Sequence, residues 1–158
     1  MTDNYIGIMI ESLRRKKDVL ADILKLSEEQ SLLLDDPNLE PDTFEKNVNR
    51  KAALIEKLEQ LDTGFESLYD KVKEELESNR DIHKEQIRQM QELIRALTEL
   101  NMQIQATEAR NKEKATAKFA YIRQQAKEIR SSQKIVKEYY NNMMHKAYNE
   151  PHFLDNKK

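Results

Sequence analysis

Apolar residues recur along this chain at alternating intervals of three and four, the spacing that keeps side chains on one side of an α-helix. Further apolar residues such as Met9 and Ile23 widen the first row into a stripe able to face a core. A segment with two prolines at 35–41 then predicts a turn. The first row, with its polar members, is Ile6, Ile10, Leu13, Lys17, Leu20, Leu24, Ser27, Ser31 and Leu34.

A second row predicts a second helix that starts at Asp42. The Asp42 carboxylate is expected to accept backbone hydrogen bonds from the first turn, with Glu45 three residues on, as in a capping box. Gly64 lies inside this helix and is compatible with a close helix contact or a kink. The row is Phe44, Val48, Lys51, Ile55, Leu58, Asp62, Phe65, Tyr69, Val72 and Leu76.

A third pattern changes phase along its length. The polar segment 77–81 predicts a second turn, although it contains no Gly or Pro, so that continuity of helices two and three stays open. A first row is Ile87, Met90, Ile94, Leu97, Asn101 and Ile104, and it fades over 105–118. A second row, one residue out of phase and therefore rotated around the helix, is Phe119, Ile122, Ala126, Ile129, Gln133, Val136, Tyr140, Met143 and Ala147.

The lengths of these helices limit how they can pack. At about 1.5 Å per residue, the first two helices span roughly 45 and 55 Å, and a third helix over 80–146 would span roughly 100 Å. We therefore expect an all-α antiparallel bundle or coiled coil of three long helices, the third extended or folded back as a fourth. The expected single domain comprises a bundle over 1–112, a C-terminal arm over 113–147 and a flexible tail over 148–158. The second half of the third helix lies beyond the reach of the first two, so its apolar row must fold back, pair with another copy or bind a client.

Composition agrees with long helices and argues against catalysis. Only 2 Gly and 3 Pro occur, and there is no Cys, which excludes disulfides and thiol chemistry. His83, His145 and His152 lack the spacing of metal ligands and are expected at the surface, and no glycine-rich loop is present to bind a phosphate. The sequence therefore predicts no enzyme, no cofactor and no metal.

Charge and hydropathy bear on location and partners. No secretory signal and no apolar run of about 20 residues is visible, which predicts a cytoplasmic protein without membrane insertion. Residues 1–109 carry 15 Lys/Arg against 24 Asp/Glu, whereas 110–158 carry 12 against 5. The basic third is typical of a solvated helix face, or of a helix that contacts nucleic acid, a membrane surface or an acidic protein. Because basic and aromatic residues do not interleave there and the net charge is −2, nucleic acid is not an expected partner.

The cluster at 139–144 joins two tyrosines to two methionines, residue types common at interfaces, although a helix core is compatible with it. Beyond Pro151, the apolar Phe153 and Leu154 indicate either a docking tail or simple fraying.

Several segments resemble flagellar export chaperones of the FlgN type. They are Leu-Ile-Glu-Lys-Leu-Glu-Gln-Leu-Asp at 54–62, Leu-Thr-Glu-Leu-Asn at 97–101 and Glu-Ala-Arg-Asn at 108–111, together with the long first helix. The ending Phe-Leu-Asp-Asn-Lys at 153–157 is similar to the tail of such proteins in Gram-positive flagellates. The resemblance implies a cytoplasmic chaperone that binds hook–filament junction proteins, shields their assembly-prone terminal helices and helps deliver them to the flagellar export gate.

The resemblance also implies where the partners bind. The client site would lie on the C-terminal half of the third helix, and Tyr148 best matches a tyrosine tied to docking at the gate, although Asn149-Glu150-Pro151 stands where the family has glycines. An alternative is a structural coiled-coil protein that self-associates through the same row, and a homodimer is compatible with both interpretations. The expected partner-binding residues are Phe119, Ile122, Ile129, Val136, Tyr139, Tyr140 and Met143.

Overall fold

A computed structural model describes residues 2–122, 134–139 and 141 of the chain. It contains three long helices, α1 (Thr2–Asp35), α2 (Pro41–Ser78) and α3 (Lys84–Ile122), and residues 134–139 are also helical. None of the residues described is in a β-strand. The prediction of an all-α bundle of three long helices is confirmed.

The first helix lies between the other two. It packs closely along both α2 and α3, whereas no comparably close packing joins α2 to α3. The Lys16 ammonium lies 2.7 Å from Asp62 and the Gln30 amide 3.1 Å from Asn47, so α1 and α2 are antiparallel as expected. The Asn111 amide donates to the Ser27 carbonyl at 2.8 Å near the far end of the bundle, so α3 runs parallel to α1.

The first turn falls where the prolines predicted it, but α2 begins differently. Pro41 occupies the first turn of α2 and Glu40 is the N-cap, without a side-chain capping bond. The expected capping box at Asp42 is therefore wrong. Pro needs no hydrogen bond for its missing N–H and has a helical φ, so it fits this position, and Asp42 lies inside the first turn, where its charge still complements the helix dipole.

The second turn separates α2 from α3 and so answers the question of their continuity. Residues 79–83 form turns, and the Asn79 N–H donates to the Glu75 carbonyl at 2.9 Å. His83 was expected at the surface but is only 4% exposed. Its Nε2 lies 3.0 Å from a Glu75 carboxylate oxygen, and its Nδ1 lies 3.8 Å from Asp3 at the start of α1. These distances place the turn beside the start of α1.

The apolar rows form the core as predicted, but the buried polar positions of α1 and the role of Gly64 in α2 differ from the prediction. In α1 the polar residue Ser27 of the predicted row is buried, but Lys16 and Gln30 are buried in place of Lys17 and Ser31. Two helices flank α1, so a broad stripe is covered. In α2, a Cβ added to Gly64 would meet nothing within 4 Å, so a close helix contact does not explain this glycine. Among the helices described, none is both long enough and apolar enough to span a bilayer.

Candidate partner-binding site

Three of the predicted partner-binding residues lie in the core of the bundle. Phe119 and Tyr139 are each 4% exposed and Val136 is 6% exposed, and all three belong to the core cluster to which α1, α2 and α3 contribute. The expectation that the arm lies beyond the reach of the first two helices is therefore wrong for these residues. The Ile122 side chain, and Ile129, Tyr140, Met143 and Tyr148, lie outside the residues described.

Phe119 packs where α3 passes the start of α2. Its ring meets that of Phe44 edge to face, with centroids 5.3 Å apart and an interplanar angle of 82°. Such a pair contributes about 0.5–1.5 kcal/mol beyond the area it buries. Ala115, one turn earlier, is also buried. The row of α3 that fades after Ile104 in the sequence thus reaches the core again before the helix ends.

The polar gap between these apolar parts is a buried polar layer centred on Lys51, whose side chain is fully buried. The Lys51 ammonium donates to both Glu108 carboxylate oxygens, at 3.0 and 3.2 Å, and to the Gln30 side-chain oxygen at 3.0 Å. The Tyr139 ring covers the same ammonium, with 4.1 Å between Nζ and the ring centroid, a cation–π geometry. One side chain therefore contacts α1, α3 and the 134–139 segment at once.

Several of the other polar side chains of the layer are paired with one another. The Gln30 amide donates to Asn47 at 3.1 Å, and the Asn47 amide donates to a backbone carbonyl of α1 at 3.0 Å. The Asn111 amide donates to the Ser27 carbonyl at 2.8 Å and to the Gln30 side-chain oxygen at 3.2 Å. Because a buried polar group without a partner costs free energy, this mutual pairing is what allows polar residues at these core positions.

Burial shifts both members of the central ion pair. It lowers the pKa of Lys51 from 10.5 to about 8, against the opposing charge and hydrogen bond of Glu108. It also raises the pKa of Glu108, against the charge of Lys51 and the polar side chains of Ser27 and Asn111. Each group thus pays for desolvation and is held charged mainly by its partner. Such a pair therefore adds little net stability, because the cost of burying two charges is close to the gain from their attraction.

An open cleft of about 390 Å³ lies beside this layer, between α2 and the 134–139 segment. Its apolar lining includes Val48 and Ile55 on α2 and Ile135 and Tyr139 on the segment. The segment is therefore well seated at Val136 and Tyr139 but leaves part of α2 uncovered. Among the residues described, no group of three His, Asp or Glu side chains could hold a metal ion.

Sequence reasoning found the apolar members of this site and missed the polar ones. Lys51 entered the second row only as an interruption, and Glu108 and Asn111 fell in the stretch where the third row fades. One signal in the sequence could have indicated the layer. Each of α1, α2 and α3 has polar residues within its otherwise apolar row, and the turns place these residues at the same level of the bundle.

The comparison with protein families is consistent with this architecture. The model of the family described as FlgN protein matches residues 1–145, which include all three helices, the polar layer and the 134–139 segment. No curated protein and no solved structure matches the chain significantly. Because the matched region covers most of the 158 residues, the chain belongs to the FlgN family of flagellar export chaperones.

Proposed function

We propose that this protein is a non-catalytic, cytoplasmic chaperone that binds hook–filament junction proteins, prevents their premature assembly and helps deliver them to the flagellar export gate. One observation supports this proposal most. Val136 and Tyr139, three residues apart on a short helical segment, bury themselves against a bundle that α1, α2 and α3 already form. These two residues thus pack against other helices, as the proposed client face requires.

A client helix can use the same surface. An amphipathic helix binds a groove through apolar side chains at spacings of three and four, the spacing that Val136 and Tyr139 share. Burying one Val side chain contributes roughly 1.5–3 kcal/mol. When a client packs against the row, its apolar side chains become buried, while the 134–139 segment loses its contacts with α2. The free energy gained from the new contacts and the free energy lost from the old ones nearly offset each other. The expected affinity is therefore moderate, which suits a client that is released for export.

The proposed client face keeps all the residues expected from the sequence. It consists of Phe119, Ile122, Ile129, Val136, Tyr139, Tyr140 and Met143. Phe119, held by Phe44, marks the end of this face at the bundle. Tyr148 is proposed to dock the loaded chaperone at the export gate.

The replacement Val136→Glu tests the client face. A carboxylate in an apolar interface is costly unless paired, so binding of a purified junction protein should fall at least tenfold, measured by titration calorimetry. Asn141→Glu is the matched control, because Asn141 is exposed near the same segment and the charge change is the same. This control should bind like the wild type.

Hydrogen exchange separates loss of the site from loss of the fold. Amides of α1 and α2 should keep their protection in Val136→Glu, and in the wild type the amides of 134–139 should change protection when client is added. Wild-type affinity in Val136→Glu, or unchanged exchange at 134–139 on client binding, would show that these residues are ordinary core.

A further inference from the structure

We propose that the α2 wall of the cleft is the second half of the binding site, and that the partner segment which enters it is a cationic amphipathic helix. This inference rests on the proposed function and specifies the chemistry of the segment that binds. It follows from the shape of the cleft, its apolar lining and the charges at its rim.

The cleft has two walls that face each other. Val48 and Ile55, seven residues or about two helical turns apart, are buried in the α2 wall, while Ile135 and Tyr139 lie on the opposite segment. About 390 Å³ between the two walls is open to solvent. The segment 134–139 is thus an incomplete partner for α2 at this height.

The size of the cleft indicates how a partner enters. Two turns of helix with a diameter of about 10 Å displace roughly 850 Å³, about twice the open volume of about 390 Å³. Side chains fit the cleft as it stands, and a whole helix fits once the segment moves away from α2. A helix that inserts between the two walls then contacts the arm on one side and α2 on the other.

Charge at the rim selects the sign of the partner. Three exposed carboxylates line the cleft, Glu56 and Glu59 on α2 and Glu138 on the segment. No ion pair joins any of them to another residue described, in contrast to the paired Glu108 in the layer below. An incoming helix with Lys or Arg beside its apolar row places positive charge against all three, whereas an acidic helix is repelled.

The test replaces the α2 carboxylates with neutral isosteres. Glu56→Gln/Glu59→Gln should weaken binding of a purified junction protein about tenfold, within roughly 2- to 30-fold for two partly exposed ion pairs, and should reduce the dependence of affinity on salt. The matched control is Glu66→Gln/Glu74→Gln, which makes the same charge change at exposed positions of α2 outside the cleft. The control should keep both the affinity and the salt dependence of the wild type.

A pair of synthetic helical peptides makes the test independent of any one client. Both peptides carry the same apolar row, and one has Lys where the other has Glu at the flanking positions. The Lys peptide should compete with the client for the wild type, and less well for Glu56→Gln/Glu59→Gln. Equal competition by the Lys and Glu peptides would overturn the proposal.

The outcomes also separate this inference from the proposed function. If the wild type binds client and the cleft variant binds it equally, at low and high salt, the client site stands and the cationic partner is wrong. If the wild type binds no junction protein, the proposed function fails and this inference fails with it. If the cleft variant instead converts a dimer to a monomer in sedimentation, a second copy of the basic arm is the occupant and the proposal is overturned.

Discussion

The buried pair of Lys51 and Glu108 should behave as one unit when its members are replaced. We consider three variants: Lys51→Met, Glu108→Leu and the double variant. Removing one member leaves the other as an uncompensated charge in the core, which typically costs about 3–5 kcal/mol. A whole domain is stable by only about 5–15 kcal/mol, so each single variant should lose a large part of its stability.

The geometry explains why the loss should be near the upper part of that range. The Lys51 side chain is fully buried and that of Glu108 is 5% exposed, and two contacts of 3.0 and 3.2 Å join them. Water therefore cannot replace the missing partner without opening the core. In the double variant no charge is left, and Gln30 keeps its hydrogen bonds with Asn47 and Asn111. The double variant should lie within about 2 kcal/mol of the wild type.

The dependence on pH gives a second readout with a definite sign. Lys51 has a pKa of about 8 in the folded protein and 10.5 when exposed. Between these values the unfolded chain holds a proton that the folded protein has lost, so stability rises with pH. At about 1.4 kcal/mol for each pH unit, the advantage of the wild type over Lys51→Met should grow by roughly 3 kcal/mol across this window.

Urea denaturation followed by circular dichroism measures all these quantities, with Arg14→Met as a control. Arg14 makes a 3.7 Å ion pair with Glu11 at the surface, and breaking such an exposed pair costs about 0–1 kcal/mol. Single variants at Lys51 or Glu108 that lose no more than this control would refute the argument. Additive losses in the double variant would also refute it, because they would show that the two charges act independently.

Three further variants test other parts of the bundle by thermal unfolding. Gly64→Ala should stabilise the protein by about 1 kcal/mol, because Gly64 lies within α2 with open space around it, and a lower melting temperature would indicate a hidden contact. Phe119→Ala should cost about 3–5 kcal/mol by leaving a cavity beside Phe44, and a cost below 1 kcal/mol would place Phe119 outside the core. Hydrogen bonds from His83 and Asn79 hold the pKa of Glu75 below 4.5. The ionised Glu75 carboxylate therefore stabilises the folded state above pH 4.5, and this stabilisation is lost as the pH falls further. In Glu75→Gln the melting temperature should therefore fall less steeply than in the wild type as the pH is lowered below 4.5, and an unchanged dependence on pH would contradict this.

Most of the fold could be predicted because its signals are local. The spacing of Phe44, Val48 and Ile55 sets the buried face of α2 without knowledge of any partner. The prolines at 37 and 41 end one helix and start the next. The antiparallel arrangement of α1 and α2 then follows from a short turn.

The polar layer could not be predicted in the same way, because its pattern is distributed over three helices. Lys51 alone is a defect in an apolar row, and Glu108 alone is a charge in a polar stretch. They become partners only when both turns fix the heights of the helices. The position of Val136 and Tyr139 stayed open for a related reason. The helix lengths allow the third helix either to extend or to fold back as a fourth, and the structure places both residues in the core, with Tyr139 over Lys51 of α2.

The composition of the layer determines what happens when the 134–139 segment leaves. Lys51 keeps its contacts with Glu108 and Gln30 without Tyr139, so departure of the segment leaves no unpaired charge in the core. What is lost is the cation–π contact, about 0.5–2 kcal/mol, and the burial of Val136 and Tyr139, roughly 1.5–3 kcal/mol for each side chain. The conformational freedom that the detached segment regains offsets part of these losses, so the segment can detach by local opening while the three long helices stay folded. A partner helix that brings its own apolar row and an aromatic ring to Lys51 would restore most of the lost burial and the cation–π contact. Exchange of the segment for the partner would then involve only a small net change in free energy.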